Sequence, residues 1–202
     1  MSQIALPFES RSQGDPTRLV VGNANAHVVE ALGDPSHWPF RTAVLTGPQR
    51  SGKTLLGRWA EGQGILVIDE ADSQHETELF HRWNAAQESG TPLLLIADTQ
   101  PWEIKLPDLR SRLGGSLQLE IGEPDDDMAG QLIEAIAAQR SLSLAAGAAD
   151  YLVPRTTRSF AALERLVIAI DRISLERQVP ATMSVWRDAL EATLGPEQQS
   201  LL

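Results

Sequence analysis

Residues 47–54 read Gly47-Pro48-Gln49-Arg50-Ser51-Gly52-Lys53-Thr54. The octapeptide fits the phosphate-binding loop pattern G-x-x-x-x-G-K-[ST] at every fixed position. An apolar run over residues 42–46 precedes it and a helix-like segment over residues 55–60 follows it, which is the strand-loop-helix context that the pattern requires. The backbone N–H groups of such a loop and the first turn of its helix form a cradle for phosphate oxygens. The stretch therefore predicts a nucleotide site in an α/β fold.

The loop residues have separate predicted roles. Gly47 and Gly52 let the backbone turn tightly and approach a ligand closely. Lys53 is expected to reach the terminal phosphates, and the Thr54 hydroxyl is expected to hold a magnesium ion. The residues predicted to contact nucleotide here are Gly47, Pro48, Gln49, Arg50, Ser51, Gly52, Lys53, Thr54 and Leu55. A glycine-rich turn that binds no ligand is the alternative interpretation.

Composition limits the classes of function. The chain has 202 residues, no cysteine and a formal net charge of −10, so disulfides are excluded and strong unaided DNA binding is not expected. Apolar runs such as residues 93–97 are too short to span a bilayer, and no signal-peptide pattern is seen at the N-terminus. We therefore expect a cytoplasmic protein that does not bind membranes.

Apolar runs and helical patterns alternate in the first part of the chain and then give way to helices alone. A helix is predicted over 25–32, buried strands over 42–46, 65–69, 92–97 and 117–121, and helices between the strands over 55–60 and 77–88. This alternation predicts a parallel sheet covered by helices on both faces. Helices are predicted over 125–139, 145–153, 159–178 and 182–194. We divide the chain into a flexible tail (1–18), a nucleotide-binding α/β domain (19–122) and a small all-helical domain (123–202).

Carboxylates follow two of the predicted strands. Asp69 and Glu70 end the second strand, where the first carboxylate would support magnesium and the second would polarise a water molecule. Asp98 follows the third strand and offers a polar group toward the same site. A buried strand with a polar end is the alternative at both places.

Two arginines lie two residues apart in the segment Leu109-Arg110-Ser111-Arg112-Leu113. An arginine here could project across a subunit boundary onto a neighbour's γ-phosphate. Spacing alone favours the alternative, a solvated arginine pair or an ion pair within the chain, which contributes little.

Taken together, these residues resemble the AAA+ ATPases related to the replication initiator DnaA, and in particular the Hda-type regulators of DnaA. The resemblance covers about residues 1–195. It implies that residues 19–25, through Val21 and Gly22, contact adenine, and that 47–54 and 69–70 are the Walker A and Walker B motifs. It also implies that Asp98 is sensor I and that Arg112 is an arginine finger.

The chain departs from the resembled fold in two places. Residues 54–64 leave room for one short helix but not for the usual second strand, so we predict a four-stranded AAA+ sheet without that edge strand, followed by the helical lid. Arg158 is the nearest candidate for the sensor II arginine of the lid, although a different alignment puts Phe160 there.

The N-terminal segment Gln3-Ile4-Ala5-Leu6-Pro7-Phe8 resembles the peptide by which Hda-type regulators and other partners bind the bacterial sliding clamp, the β subunit of DNA polymerase III. Pro7 stiffens an extended segment, Leu6 and Phe8 would fill an apolar pocket, and the Gln3 amide would take hydrogen bonds. The predicted clamp-binding residues are Gln3, Ile4, Leu6, Pro7 and Phe8. A chance apolar island in a tail is the alternative.

The resemblance implies a regulator of replication initiation that binds ADP or ATP with Mg²⁺. It would dock on the DNA-loaded clamp, contact DNA only indirectly, and promote hydrolysis of DnaA-bound ATP through Arg112, with weak hydrolysis of its own despite Glu70. The chain ends before a DNA-binding domain could fit, which points to the regulator rather than the initiator. A homodimer stays open. The alternatives are an autonomous AAA+ ATPase of helicase-loader type, a small-molecule kinase and a nucleotide-free scaffold.

Overall fold

The computed structural model describes residues 19–98 and 101–193. The described chain divides into two compact units, one formed by residues 25–122 and the other by residues 19–24 with 123–193. The sequence assigned residues 19–24 to the nucleotide-binding domain, whereas the structure groups them with the helices that follow Gly122. The N-terminal segment with the predicted clamp-binding residues lies outside the described residues.

The first unit is built on a parallel sheet. Its strands in the described residues are β1 (Thr42–Thr46), β2 (Leu66–Ile68), β3 (Leu93–Ile96) and β4 (Leu117–Glu120), in the spatial order β2-β3-β1-β4. In the register, Val44 of β1 lies opposite Leu95 of β3 and Gln118 of β4. The predicted four-stranded parallel sheet is confirmed.

Strand position in the sheet explains the sequence of each strand. β3 is buried along its whole length and β1 over its first four residues, because helices cover both faces of the central strands. The edge strands have exposed positions, such as Leu66 in β2 and Gln118 in β4. All four strands end at the same edge of the sheet, so the residues that follow them are brought together there.

Four helices pack against this sheet. They are α1 (Ala26–Gly33), α2 (Lys53–Gly62), α3 (Glu76–Ser89) and α4 (Pro107–Gly114). The sequence did not predict α4, because its eight residues show only two buried apolar positions, Leu109 and Leu113, one turn apart. Proline at the first helical position and an aspartate in the first turn favour its start.

The second unit is helical, with α5 (Asp126–Gln139), α6 (Ala148–Leu152), α7 (Phe160–Arg177) and α8 (Met183–Thr193). The Asp125 and Ser159 side chains cap α5 and α7 by accepting from the N–H groups of Met128 (2.9 Å) and Ala162 (3.2 Å). α6 is shorter than predicted, because Gly147 precedes it with φ 81° and a 3₁₀ turn at 153–155 follows it. No helix in the described residues is long and apolar enough to cross a membrane.

Candidate functional site

The octapeptide forms a loop between β1 and α2, as the sequence predicts. Gly47 lies against Ile121, and a Cβ atom at this position would be 2.8 Å from the Ile121 Cβ atom. Gly52 has φ 88°, ψ 18° and directly precedes the first turn of α2. Both glycines are therefore required by the backbone, Gly47 by a close approach and Gly52 by a left-handed conformation.

The middle of the loop leaves a polar group without a partner. Pro48, Gln49 and Arg50 are exposed, and Arg50 has a positive φ of 64°. Ser51 is only 4% exposed, and its hydroxyl has no hydrogen-bond partner among the described residues. A buried hydroxyl beside the start of a ten-residue helix fits a loop that binds an anion.

Lys53 holds the loop through its ammonium group. The Lys53 Nζ atom donates to the carbonyl oxygens of Gly47 (2.9 Å) and Pro48 (3.0 Å) and forms an ion pair with Asp98 Oδ1 (2.9 Å). The side chain of Lys53 is 6% exposed and that of Asp98 is 59% exposed. Since an ammonium group has three donors, these three acceptors use all of them.

Asp69 and Glu70 follow β2 at the same edge of the sheet. The Glu70 N–H donates to Asp69 Oδ1 (2.9 Å), and the Gln74 side chain donates to the Asp69 carbonyl (3.0 Å). Glu70 has the left-handed conformation φ 50°, ψ 40° and is exposed. The Asp98 N–H donates to Asp72 Oδ2 (3.2 Å), which ties the end of β3 to the turn after Glu70.

Asp98 links the predicted site residues of the loop to those that follow β2. The ion pair joins Asp98 to Lys53 of the loop, and the hydrogen bond to Asp72 joins Asp98 to the Asp69-Glu70 turn. Thr54 is exposed at the start of α2, whereas Leu55 is buried in it. No cluster of three or more His, Asp or Glu residues with metal-ligand geometry occurs in the part of the chain that the structure describes. The two residues predicted to hold magnesium are Thr54, at the start of α2, and Asp69, directly after β2.

The remaining predicted nucleotide contacts belong to the helical unit. Val21 and Gly22 precede α1, and a Cβ atom at Gly22 would be 2.9 Å from the Met128 side chain of α5. The next residue, Asn23, donates to the Glu123 carbonyl (3.1 Å) and accepts from the Asp125 N–H (3.0 Å). Sequence reasoning missed this bridge, because its two partners lie about a hundred residues away.

Arg158 is engaged within the helical unit. Its guanidinium pairs with Asp126 of α5, with Nε 2.6 Å from Oδ1 and Nη2 3.3 Å from Oδ2. Phe160, the alternative sensor II position, is 4% exposed and opens α7.

Arg112 lies on two aromatic rings of α3. Its guanidinium carbon is 4.9 Å from the ring centroid of Phe80 and 4.3 Å from that of Trp83. The residue is half-buried, and among the described residues its guanidinium makes no hydrogen bond and no ion pair. Arg110, in contrast, is exposed. The sequence signal for this contact was the spacing of Phe80 and Trp83, because residues three apart on a helix lie on the same face.

Glu76 orients the segment that leads to α4. Its carboxylate accepts from the N–H groups of Lys105 (2.9 Å) and Leu106 (2.6 Å). The hydrogen bond from the Lys105 N–H, then that from the Leu106 N–H, lowers the pKa of Glu76 below its ordinary value, because both favour the charged form. Nothing in the sequence indicated this role for the first residue of α3.

Known proteins of similar sequence include DnaA replication initiators. The chain matches no family model. It is 28% identical over 167 residues to an uncharacterized protein of Haemophilus influenzae, covering 78% of this chain and 72% of that protein. It is 31% identical over 110 residues to the DnaA of Agrobacterium fabrum, covering 52% of this chain and 22% of that protein. It is 27% identical over 191 residues to the DnaA of Magnetococcus marinus, covering 85% of this chain and 43% of that protein. The chain therefore spans less than half the length of these DnaA relatives.

Solved structures of similar fold include AAA+ domains of replication and recombination proteins. Domain III of the Thermotoga maritima DnaA superposes with a TM-score of 0.73 at 17% identity, covering 88% of this chain and 95% of that chain. A DnaA bound to AMPPCP and single-stranded DNA has a TM-score of 0.58 at 21% identity, covering 79% and 66%. A Thermotoga maritima RuvB has a TM-score of 0.62 at 18% identity, covering 84% and 68%. In sequence the chain is therefore similar to part of DnaA, and in fold it is similar to the AAA+ domains of DnaA and RuvB.

Proposed function

We propose that this protein regulates chromosome replication initiation as an Hda-type inactivator of DnaA. It would promote hydrolysis of DnaA-bound ATP by supplying the Arg112 guanidinium to the nucleotide site of DnaA. The observation that carries the proposal is the state of that guanidinium, which is half-buried, lies on aromatic rings and has no anionic partner among the described residues.

An arginine in this state is unusual in so acidic a chain. The protein has 27 acidic and 17 basic residues, and half-buried guanidinium groups normally pair with a carboxylate or a carbonyl. The guanidinium carbon lies over the rings of Phe80 and Trp83, and rings use none of the five N–H donors as a carboxylate or carbonyl would. These donors would therefore be available to an anion with several oxygens, such as a γ-phosphate.

The loop between β1 and α2 would bind an adenine nucleotide of the protein's own. The unpartnered Ser51 hydroxyl, the left-handed Gly52 and the Lys53 ammonium group support a phosphate-binding role. Thr54 and Asp69 would hold Mg²⁺, which supplies charge neutralisation at the phosphates. Val21, Gly22, Asp98 and Arg158 remain predicted nucleotide contacts.

The proposal includes docking on the sliding clamp. Its support is the pattern from Gln3 to Phe8, in which Leu6 and Phe8 are apolar anchors and Pro7 restricts the backbone. The clamp would place the protein on DNA without a basic surface of its own, which agrees with the net charge of −10.

The test measures hydrolysis of DnaA-bound ATP with this protein, clamp and DNA, each omitted in turn. An arginine finger contributes about 10³–10⁵-fold to phosphoryl-transfer rates, so Arg112→Ala should abolish the stimulation. Arg110→Ala is the matched control, because it removes the same charge from the same helix at an exposed position, and it should retain the stimulation. Equal stimulation by wild type and Arg112→Ala would remove this mechanism.

The second candidate is an autonomous ATPase of helicase-loader type. The Asp69-Glu70 pair after β2 favours it, because this is where a P-loop ATPase polarises its attacking water. A steady-state ATPase assay of the isolated protein separates the two. Fast turnover that Glu70→Gln removes would support the second candidate, and slow turnover with strong stimulation of DnaA would support the first.

A further inference from the structure

A strained aromatic residue is exposed beside Trp83, the ring nearest the Arg112 guanidinium. Phe40 has φ 53° and Arg41 has φ 47°, a left-handed conformation that bulky residues rarely adopt. Phe40 is nevertheless 57% exposed, so its ring contributes little to the core of its own unit. Backbone strain of this kind persists only where the surrounding structure enforces it, and it is concentrated at functional sites.

Four hydrogen bonds enforce this conformation. The carbonyl of Phe40 accepts from the Gln87 side chain (2.7 Å) and from the Thr42 hydroxyl (2.9 Å). The Arg41 guanidinium donates to the Gly90 carbonyl (2.7 Å), and the Arg41 N–H donates to the Trp38 carbonyl (2.9 Å). The turn before β1 is thus fixed to the end of α3, and the direction of the Phe40 ring is fixed with it.

The ring of Phe40 continues the aromatic surface under Arg112. Its centroid is 6.5 Å from that of Trp83, at an interplanar angle of 57°, and Trp83 is also the ring nearest the Arg112 guanidinium. On the other side, a Cβ atom at Gly115 would be 3.1 Å from Phe40 Cε2, so the ring of Phe40 lies close to the backbone that follows α4. We call Phe40, Phe80, Trp83, Arg112 and Gly115 the Phe40 surface.

The chemistry of the Phe40 surface specifies its occupant. An exposed ring near a guanidinium that has no hydrogen-bond partner among the described residues suits an apolar surface that borders a bound anion. Aromatic and arginine side chains are the types that contribute most binding energy at protein interfaces. The nucleotide-binding face of an ATP-loaded AAA+ subunit offers both an anion and the protein surface around it.

We infer that Phe40 is an anchor residue through which this protein docks onto the nucleotide-binding face of ATP-loaded DnaA, next to the point where Arg112 enters. This inference rests on the proposed function. It assigns affinity for the partner to Phe40 and the rate of hydrolysis to Arg112.

The decisive variant is Phe40→Gly, because glycine adopts φ 53° without strain. Its melting temperature should equal or exceed that of wild type, so a loss of binding cannot come from misfolding. The protein concentration for half-maximal stimulation of DnaA-ATP hydrolysis, with clamp and DNA present, should rise about tenfold or more. The dissociation constant for DnaA loaded with AMPPCP should rise by the same factor. Phe40→Tyr, which keeps an aromatic ring, should retain the wild-type half-maximal concentration and dissociation constant.

Two further variants test whether Phe40 determines affinity and Arg112 determines the hydrolysis rate. Arg112→Ala should reduce the rate at saturating protein to the unstimulated rate, whereas Phe40→Gly should reach the wild-type plateau at higher protein concentration. Gln178→Gly relieves a similar conformation (φ 55°) in the helical unit and should leave both the affinity and the plateau unchanged. Wild-type affinity in Phe40→Gly, with stimulation by the wild-type protein intact, would overturn the role of Phe40 alone. A wild-type protein that does not stimulate DnaA would overturn the proposed function and this inference together.

Discussion

Glu76→Gln tests whether one carboxylate holds the segment before α4. The Glu76 carboxylate accepts from the N–H groups of Lys105 (2.9 Å) and Leu106 (2.6 Å) at the first residue of α3. A glutamine side chain has one acceptor oxygen, and its NH₂ group would face the second N–H. The substitution therefore removes one hydrogen bond and removes the charge from the other.

The magnitude follows from these two contacts. A hydrogen bond to a charged group contributes about 1.5–3 kcal/mol, and the lower end applies because Glu76 is half-buried. We expect the free energy of unfolding to fall by about 1.5–2 kcal/mol. For a protein of this size, such a loss lowers the melting temperature by roughly 3–8 °C. Glu78→Gln, an exposed charge in the same first turn, is the control and should change stability by only a few tenths of a kcal/mol.

The effect should depend on pH with a defined sign. The pKa of Glu76 is lower in the folded protein than in the unfolded chain, so its stabilisation is fully present above the unfolded pKa. It is lost as the pH falls through the folded pKa. The difference in stability between wild type and Glu76→Gln should therefore be constant at neutral pH and shrink in acid, below about pH 4.

Chemical denaturation at several pH values measures this difference, and hydrogen exchange reports the Lys105 and Leu106 amides directly. Both amides should exchange faster in Glu76→Gln and at the wild-type rate in Glu78→Gln. Equal stability of the two variants at pH 7, or a deficit of Glu76→Gln that is the same in acid as at neutral pH, would refute this role of Glu76.

The remaining predictions concern the nucleotide loop and the tail. Asp98→Asn removes the ion-pair partner of Lys53. Because the Asp98 side chain is 59% exposed, the pair contributes less than about 1 kcal/mol. The affinity for ADP without magnesium, measured by calorimetry, should therefore rise by up to about fivefold. Weaker binding would instead show that the Asp98 carboxylate assists the nucleotide. Replacing both Leu6 and Phe8 with alanine should eliminate binding to the sliding clamp in calorimetry, while Ser10→Ala and Ser12→Ala, which lie just beyond the predicted peptide, serve as controls. Undiminished binding would show that the clamp is contacted elsewhere.

The strands and the loop between β1 and α2 were readable from the sequence for a local reason. A strand buried on both faces needs an unbroken apolar run, as in β3, and a phosphate-binding loop needs glycine at positions set by its own backbone, as at Gly52. The short interval of residues 54–64 likewise allowed one helix and no additional strand, so the number of strands followed from chain length. These properties depend on neighbours along the chain and on little else.

The arrangement around Arg112 was decided by tertiary structure. Arg110 and Arg112 are two residues apart on α4 and so point about 200° apart around the helix, and spacing alone does not say which one faces α3. The packing of α4 decides this, because burial of Leu109 and Leu113 in the core places Arg112 against Phe80 and Trp83.

The backbone strain at Phe40 and the hydrogen bonds of the Glu76 carboxylate have the same origin. Both depend on contacts between residues 29 to 49 positions apart in the chain, such as Glu76 with Lys105 and Arg41 with Gly90. A local sequence pattern carries the preference of a residue for its own backbone conformation, whereas these features arise where packing overrides that preference. The sequence alone therefore determined that a loop with the phosphate-binding pattern follows the first strand of a parallel sheet. Only the packed structure determined which aromatic side chains surround the Arg112 guanidinium.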